Sequence, residues 1–345
     1  MIMQNIIIIE PIIDNQNTDD RIEEAIALCE AAGGKVVSTV TQVIKTINPA
    51  TFIGLGKVEE IKCEAIDLQA DLCVFNGELS PSQTLNLTDL IGIPVITRTN
   101  LILDIFARRA ESAEGKILVE LAQLKYIYPR LKGKGDSLSR LGAGIGTRGP
   151  GETKLETDRR HIKGRILRLE RDLLQIQSRR SNEYSRRKKN QVKTVALVGY
   201  TNSGKSTLLN LLCKSNVLEL DQVFATLDTA SKKAYINGKN LILMDTVGFI
   251  KELPPDLLRA FKSTLECVNQ ADLLLSVADC TKDWRAQFEV TENLLKELGT
   301  QVNVIKVLNK CDTNPQDFIP DDVIKISALK NMGIDKLKQE ILAKI

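Results

Sequence analysis

The residues with the clearest chemical purpose run Gly199-Tyr200-Thr201-Asn202-Ser203-Gly204-Lys205-Ser206-Thr207. A glycine, four residues, then Gly-Lys-Ser is the pattern of a phosphate-binding loop. Each residue type has a reason to be there. Glycines let successive backbone N–H groups curl around a phosphate. A helix starting at Gly204–Lys205 aims its positive end at the same anion. Lys205 supplies a mobile point charge for the β- and γ-phosphates, and the Ser206 hydroxyl can ligate Mg²⁺. The flanks agree: Val195–Val198 reads as a buried strand, and LLNLLC after Thr207 as a helix.

The remaining parts of a nucleotide switch follow in order. Thr226, in the polar stretch VFATLDT, can present its hydroxyl and carbonyl to Mg²⁺ and the γ-phosphate. The apolar strand Leu241–Met244 ends in Asp245-Thr246-Val247-Gly248. A carboxylate there can hold the Mg²⁺ shell through water, and the Gly248 N–H can sense the γ-phosphate. A strand over 302–308 ends in Asn309-Lys310-Cys311-Asp312. Asp312 can accept two N–H bonds from guanine, a pair that adenine cannot offer. Asn309 would brace the loop and touch the base edge, and the Lys310 stem would cover the ring. The strand Val323–Ile326 leads into Ser327-Ala328-Leu329, whose backbone N–H can meet the guanine oxygen. The candidate nucleotide contacts are therefore Gly199, Asn202, Ser203, Gly204, Lys205, Ser206, Thr207, Phe224, Thr226, Asp245, Gly248, Asn309, Lys310, Asp312, Ser327 and Ala328. Lys205, Thr226 and Gly248 are the catalytic candidates. Ser206 and Thr226 are direct Mg²⁺ ligands, with Asp245 acting through water. Phe249 stands where small regulatory GTPases use a glutamine to orient the attacking water. A phenyl ring can do neither half of that task, so slow intrinsic hydrolysis is expected, with a partner completing the site.

These motifs require a mostly parallel sheet flanked by helices, with ligand outside the strands' carboxyl ends. Residues 192–345 are accordingly read as a Ras-like P-loop GTPase domain. Residues 1–103 alternate strand and helix signals, which argues a small parallel α/β domain. Its strands are expected at Ile6–Ile9, Val36–Thr41, Leu72–Phe75 and Pro94–Thr97, and its helices at Asp19–Ala32, Gly56–Leu68 and from Ser80-Pro81 to about Leu90. Gly54-x-Gly56-Lys57 has the wrong spacing for a phosphate loop and reads as a tight turn into a helix.

Residues 104–191 are read as an antiparallel helical hairpin. Apolar residues from Phe106 to Tyr128 recur at steps of three and four, and Pro129 ends the run. A second stripe begins at Leu155 and continues through Ile162, Leu169 and Ile176. Net charge is only +3, but residues 125–193 carry 20 Lys+Arg against 7 Asp+Glu, so the basic middle lies between acidic ends. The loop 130–154 is glycine-rich and holds Lys132, Lys134, Arg140, Arg148 and Lys154. Glycines beside arginines suit close approach to a phosphate backbone. Arg159 and Arg160 continue the basic stretch onto the helix. The RRKK run at 186–189 reads as a linker into the next domain.

The seven cysteines are scattered and form no C-x-x-C, so they read as reduced thiols rather than a disulfide frame or zinc site. No segment reaches the ~18 apolar residues of a membrane span. With no targeting signal, the expected location is cytoplasmic, with peripheral membrane association left open.

The sequence resembles the HflX family of ribosome-associated GTPases. The resemblance rests on NPATFIGLGKVEEI (48–61), LILDIFARRA (101–110), KILVELAQLKYIYPRL (116–131), GAGIGTRGPGETKLETDRR (142–160), FATLDT and DTVGFI. It implies GTP-form binding to the large ribosomal subunit and its rRNA, with Lys132, Lys134, Arg140, Arg148, Lys154, Arg159 and Arg160 as the RNA-contact candidates, and splitting of stalled or idle ribosomes, with hydrolysis to GDP releasing a monomeric factor. Many members continue into a small C-terminal domain. Here the sequence stops at Ile345, so the resemblance implies a short form. The alternative is a GTP-dependent assembly or dormancy factor that binds the large subunit's rRNA without splitting ribosomes.

Overall fold

The structure is a computed structural model that describes residues 3–13, 18–131, 150–189, 192–213, 224, 231–250, 268–313 and 319–345. The chain divides into two compact units: residues 1–108 with 119–170, and residues 109–118 with 171–345.

The first unit is built on a four-stranded parallel sheet in the order β2-β1-β3-β4. These strands are β1 (Gln4–Ile12), β2 (Gly34–Val43), β3 (Leu72–Phe75) and β4 (Val95–Thr97). Ile6, Ile7, Ile8 and Ile9 are all buried, as a parallel strand covered on both faces demands. Helix α1 (Thr18–Ala31) stops at Gly33, which has φ 80°. Helix α2 (Leu55–Asp67) has Gly54 as its N-cap, with the Gly54 N–H donating to Gln42 Oε1 at 3.1 Å. That glycine motif is the turn into a helix expected above. Helix α3 (Pro81–Ile91) starts with a capping box between Ser80 and Gln83.

Two departures from the sequence pattern occur among the helices. The apolar run expected from Asp104 divides into α4 (Arg98–Arg109) and α5 (Ala113–Arg130). The Ser112 hydroxyl accepts from the Gly115 N–H at 2.9 Å and restarts the helix. The second helix, α6, runs Pro150–Lys189, so the RRKK run is helical rather than a linker. Arginine and lysine are good helix formers, and nothing in that stretch breaks the chain. Arg165 grips Glu120 through two bonds of 2.7 Å, which holds Glu120 below the usual carboxylate range.

A buried polar network closes the carboxyl ends of β1, β3 and β4. Glu10 accepts from Arg21 Nε at 2.8 Å and from the Asn76 amide. Arg98 donates to Asn76 Oδ1 at 2.8 Å and pairs with Glu24. Thr97 Oγ1 and the Tyr126 hydroxyl lie 2.7 Å apart, and burial pushes the Tyr126 phenol up to about 12. Arg98→Ala leaves Glu24 and Asn76 without their buried donor. It should destabilise the unit by about 3–5 kcal/mol, the cost of breaking one side of a buried pair. Urea unfolding would show a lowered midpoint; an unmoved midpoint would show that the network is not coupled to stability.

The second unit is built on a six-stranded sheet in the order β10-β9-β8-β5-β7-β6. The strands are β5 (Lys193–Gly199), β6 (Ser231–Ile236), β7 (Lys239–Asp245), β8 (Leu273–Asp279), β9 (Val304–Asn309) and β10 (Val323–Lys325). Only edge strand β6 runs antiparallel to its neighbour. Helices α7 (Lys205–Cys213), α8 (Trp284–Glu297) and α9 (Ile334–Lys344) accompany the sheet, and a 3-10 turn covers Cys311–Thr313. Val195, Leu197, Leu243, Leu275 and Val307 lie in one core cluster with Leu208 and Leu209 of α7 and Leu337 and Ile341 of α9. The register pairs Leu197 with Asp245, and Asp279 with Asn309. The carboxyl ends of β5, β7, β8 and β9 thereby converge.

Candidate functional site

Strand β5 delivers the chain into the phosphate loop at Gly199, whose φ of 141° disfavours L side chains. A Cβ there would also overlap the Val277 carbonyl of adjacent β8. The sheet therefore requires glycine before any ligand does. Asn202 and Gly204 continue the turn with φ 59° and 85°.

Lys205 is the first residue of α7 and is buried. Its ammonium folds back over the loop and donates to the Gly199 carbonyl at 3.1 Å and the Tyr200 carbonyl at 2.7 Å. Burial pulls its pKa down to about 8, against the opposing pull of Asp245. The Ser203 hydroxyl is buried in the same loop and has no hydrogen-bond partner among the described residues. A loop holding a buried cation and an unsatisfied donor is chemically suited to an anion. Ser206 Oγ donates to Asp245 Oδ2 at 2.7 Å, so a hydroxyl and a carboxylate meet beside it. This is a hard-oxygen donor set of the kind Mg²⁺ takes.

The DTVG segment lies against the loop. A Cβ on Gly248 would come within 2.8 Å of Thr201 Cα and 3.0 Å of Lys205 Nζ. Phe249 is tied to the loop through its backbone. Its N–H donates to the Gly199 carbonyl at 2.9 Å, and its carbonyl accepts from the Thr201 N–H at 2.7 Å. The Phe249 ring is buried with Ala196, Val198, Val268 and Leu274. The ring is part of the core and offers the site only main-chain groups.

The base-reading loops are joined by Asn309. Its amide donates to the Ser203 carbonyl at 2.9 Å, and its oxygen accepts from the Ala328 N–H at 2.9 Å. One side chain thus fixes the phosphate loop and the Ser327–Leu329 turn together. The Ala328 N–H, expected at the guanine oxygen, donates to Asn309 here. The reason is proximity: β9 and the turn after β10 are neighbours, so the nearest carboxamide takes the amide. Lys310, with φ 62°, extends to Asp279 Oδ2 at 2.7 Å. Asp312 lies 3.3 Å from Lys330 Nζ, and its pKa is lowered first by a hydrogen bond from Ser327 and then by Lys330. It stands as a carboxylate, an acceptor only.

The chain was compared with known proteins. Three family models match in succession: a GTP-binding GTPase N-terminal region over residues 19–107, a GTPase middle region over 109–187, and a 50S ribosome-binding GTPase domain over 194–310. The GTPase HflX of Caldanaerobacter subterraneus subsp. tengcongensis is 49% identical over 97% of this chain and 79% of its own length. The chain belongs to the HflX family of GTPases. The Escherichia coli HflX is 40% identical over 94% of this chain and 79% of its own length. Among solved structures, a GTP-binding protein from the archaeon Sulfolobus solfataricus in complex with GDP is similar with a TM-score of 0.53. It is 26% identical over 99% of this chain and 98% of that one.

The HflX P-loop domain therefore gathers most of the nucleotide candidates around one mouth. Thr207 lies in the first turn of α7, and Phe224 is buried with φ 56°. Thr226 lies outside the described residues, as do Lys132, Lys134, Arg140 and Arg148; Lys154 is described only as part of α6. Asp279 and Lys330 are additions that the motifs do not name. Asp279 could have been found as the acid closing the apolar run LLLSVAD, since Asp245 closes β7 in the same way. On the first unit, Arg159, Arg160 and Lys163 line a shallow cavity of about 330 Å³ with Tyr128. The Arg159 guanidinium stands 5.4 Å from the Tyr128 ring centre, and its Nε is buried without a partner among the described residues.

Proposed function

We propose that this HflX-family GTPase binds GTP and GDP in the loop 199–207, reads guanine through Asp312, and binds the large ribosomal subunit in its GTP form. The GDP carried by the archaeal neighbour, together with the carboxylate at Asp312, supports the nucleotide assignment. Ser206 and Thr226 would hold Mg²⁺ directly and Asp245 through water, where the ion would neutralise phosphate charge. Lys205 positions the β- and γ-phosphates, and Gly248 reports the γ-phosphate to the following segment. With the Phe249 ring in the core, intrinsic hydrolysis is slow and the ribosome completes the site.

On this reading, residues 1–103, 104–191 and 192–345 act as an α/β domain, a helical hairpin and a switch. The cationic cavity at Arg159, Arg160 and Lys163 is the observation that favours an RNA partner, because it puts charge beside an aromatic face. Binding of the GTP form separates idle or stalled ribosomes, and hydrolysis releases a monomeric factor. Among the described residues no helix is long and apolar enough to cross a membrane, and the site of action is the cytoplasm.

Light scattering of intact ribosomes tests this directly. A drop with GTP and with a non-hydrolysable analogue, but not with GDP, would establish nucleotide-gated splitting. No drop, with GTP-dependent co-sedimentation on the large subunit, would favour the assembly or dormancy reading. Either way, binding should weaken steeply with salt, because each phosphate contact releases counterions. Arg159→Ala with Lys163→Ala should weaken subunit binding by about tenfold or more. GTP affinity should be unchanged in that variant; an equal loss of both would move these residues to the nucleotide site.

A further inference from the structure

We propose that Cys280 and Cys311 form a modification site: a dithiol that a low-molecular-weight disulfide converts to an intrachain disulfide, loosening the grip on guanine nucleotide. The last clause rests on the base-reading role proposed for Asp312 and its loop.

The two cysteines sit where parallel strands β8 and β9 end side by side. Asp279 and Asn309 are opposite each other in the register, and the Cys280 N–H donates to the Asn309 carbonyl at 3.0 Å. Cys280 and Cys311 follow those strand ends. Cys280 Sγ lies over the turn that carries Cys311, 3.1 Å from the Lys310 carbonyl and 3.6 Å from Thr313 Oγ1. Both side chains pack against the same apolar cluster, which includes Ala278, Trp284 and Leu308. Both are half-buried, unlike the fully buried Cys29 and Cys73. The Cys280 thiol is an electrostatic neighbour of the Cys311 thiol. Each thiol also holds the base loop from below. Cys280 Sγ donates to the Lys310 carbonyl at 3.1 Å, and Cys311 Sγ to the Leu308 carbonyl at 3.2 Å.

The order of events follows from their surroundings. Burial first, and then Cys280, push the Cys311 thiol up to about 12, so Cys311 is the poorer starting nucleophile. The Cys280 thiolate attacks one sulfur of glutathione disulfide and expels one glutathione thiolate. Cys311 then gives up its proton and attacks the Cys280 sulfur, expelling the second glutathione. Two protein thiols are oxidised, one disulfide is reduced, and both protons end on the two released glutathiones.

The consequence lies in the loop. Forming the bond removes both S–H donors, leaving the Leu308 carbonyl to the Ile326 N–H and the Lys310 carbonyl to Thr313. Those carbonyls flank Asn309, which braces the phosphate loop, and Lys310, which sits at φ 62°. Asp312 is the next residue after the cross-link. A carboxylate that must meet two N–H groups loses most of its advantage when displaced by a fraction of an ångström.

The test treats the full chain with glutathione disulfide, maps the bond by mass spectrometry, and measures GDP dissociation before and after. The expected result is a Cys280–Cys311 linkage and GDP release faster by about tenfold, the loss of roughly one good hydrogen bond. The thiol reductant dithiothreitol should reverse both. Cys280→Ser and Cys311→Ser should each show the same GDP release with and without glutathione disulfide. No linkage, or a linkage with unchanged GDP release, would overturn the proposal. If the reduced protein shows no guanine preference, the base-reading assignment fails instead, and the mapped linkage still decides whether the dithiol is real.

Discussion

Replacing Lys205 by alanine is expected to lower GTP affinity by roughly a hundredfold to a thousandfold, or about 3–4 kcal/mol, the worth of a charged contact to phosphates in a desolvated loop. The geometry gives two reasons. The ammonium is the cation of the loop, and it also pins the Gly199 and Tyr200 carbonyls at 3.1 and 2.7 Å. Its removal takes away the charge and frees the turn that shapes the site. The nucleotide-free fold should tolerate the change, because burial already disfavours the charged form of Lys205. Calorimetric titration with GTP, beside a thermal melt without nucleotide, separates the two effects. Lys205→Arg should not rescue binding, since the planar guanidinium cannot enter a pocket shaped for a compact ammonium. Retained GTP affinity in the alanine variant would remove Lys205 from the phosphate site.

Asp312→Asn is expected to cost about a hundredfold in GTP affinity and to raise affinity for xanthosine triphosphate, because buried donor–donor opposition replaces paired charged bonds. An asparagine amide presents N–H where guanine also presents N–H. Xanthine carries an oxygen at that position and can accept. Ser327 and Lys330 hold Asp312 as a carboxylate, so the wild-type site is an acceptor throughout the neutral range. Competition between the two triphosphates for a fluorescent GDP analogue reads the switch directly. Unchanged GTP affinity would take Asp312 out of base reading and turn attention to the Asn309–Ala328 brace.

Both variants concern motifs legible in the chain because each function there is local. Gly199 to Ser206 must be contiguous, since one loop wraps one phosphate, so spacing alone reveals it. The same holds for Ser80-Pro81, where the capping box is written within four residues. Most strands of the parallel sheets were equally readable, because buried parallel strands are continuous apolar runs. The seven buried residues of β8 show the limit. They contain no motif and pass unnoticed, yet β8 supplies the Val277 carbonyl that makes glycine obligatory at 199 and the Asp279 that anchors Lys310.

What the sequence by itself determined is thus the family and the strand, phosphate loop and helix around residues 195–213, carried by residues close together in the chain. What only the tertiary structure decided is how distant residues meet. Glu10 reaches Asn76 and Arg98 at the end of the first sheet. Asn309 spans from Ser203 to Ala328. Phe249 is a core residue whose backbone closes on Gly199 and Thr201. Cys280 and Cys311 become neighbours only because β8 and β9 pair in register. Periodicity reports the face a residue presents within its own element. The partner on that face is set by strand order and register, and these emerge only when the whole sheet is assembled.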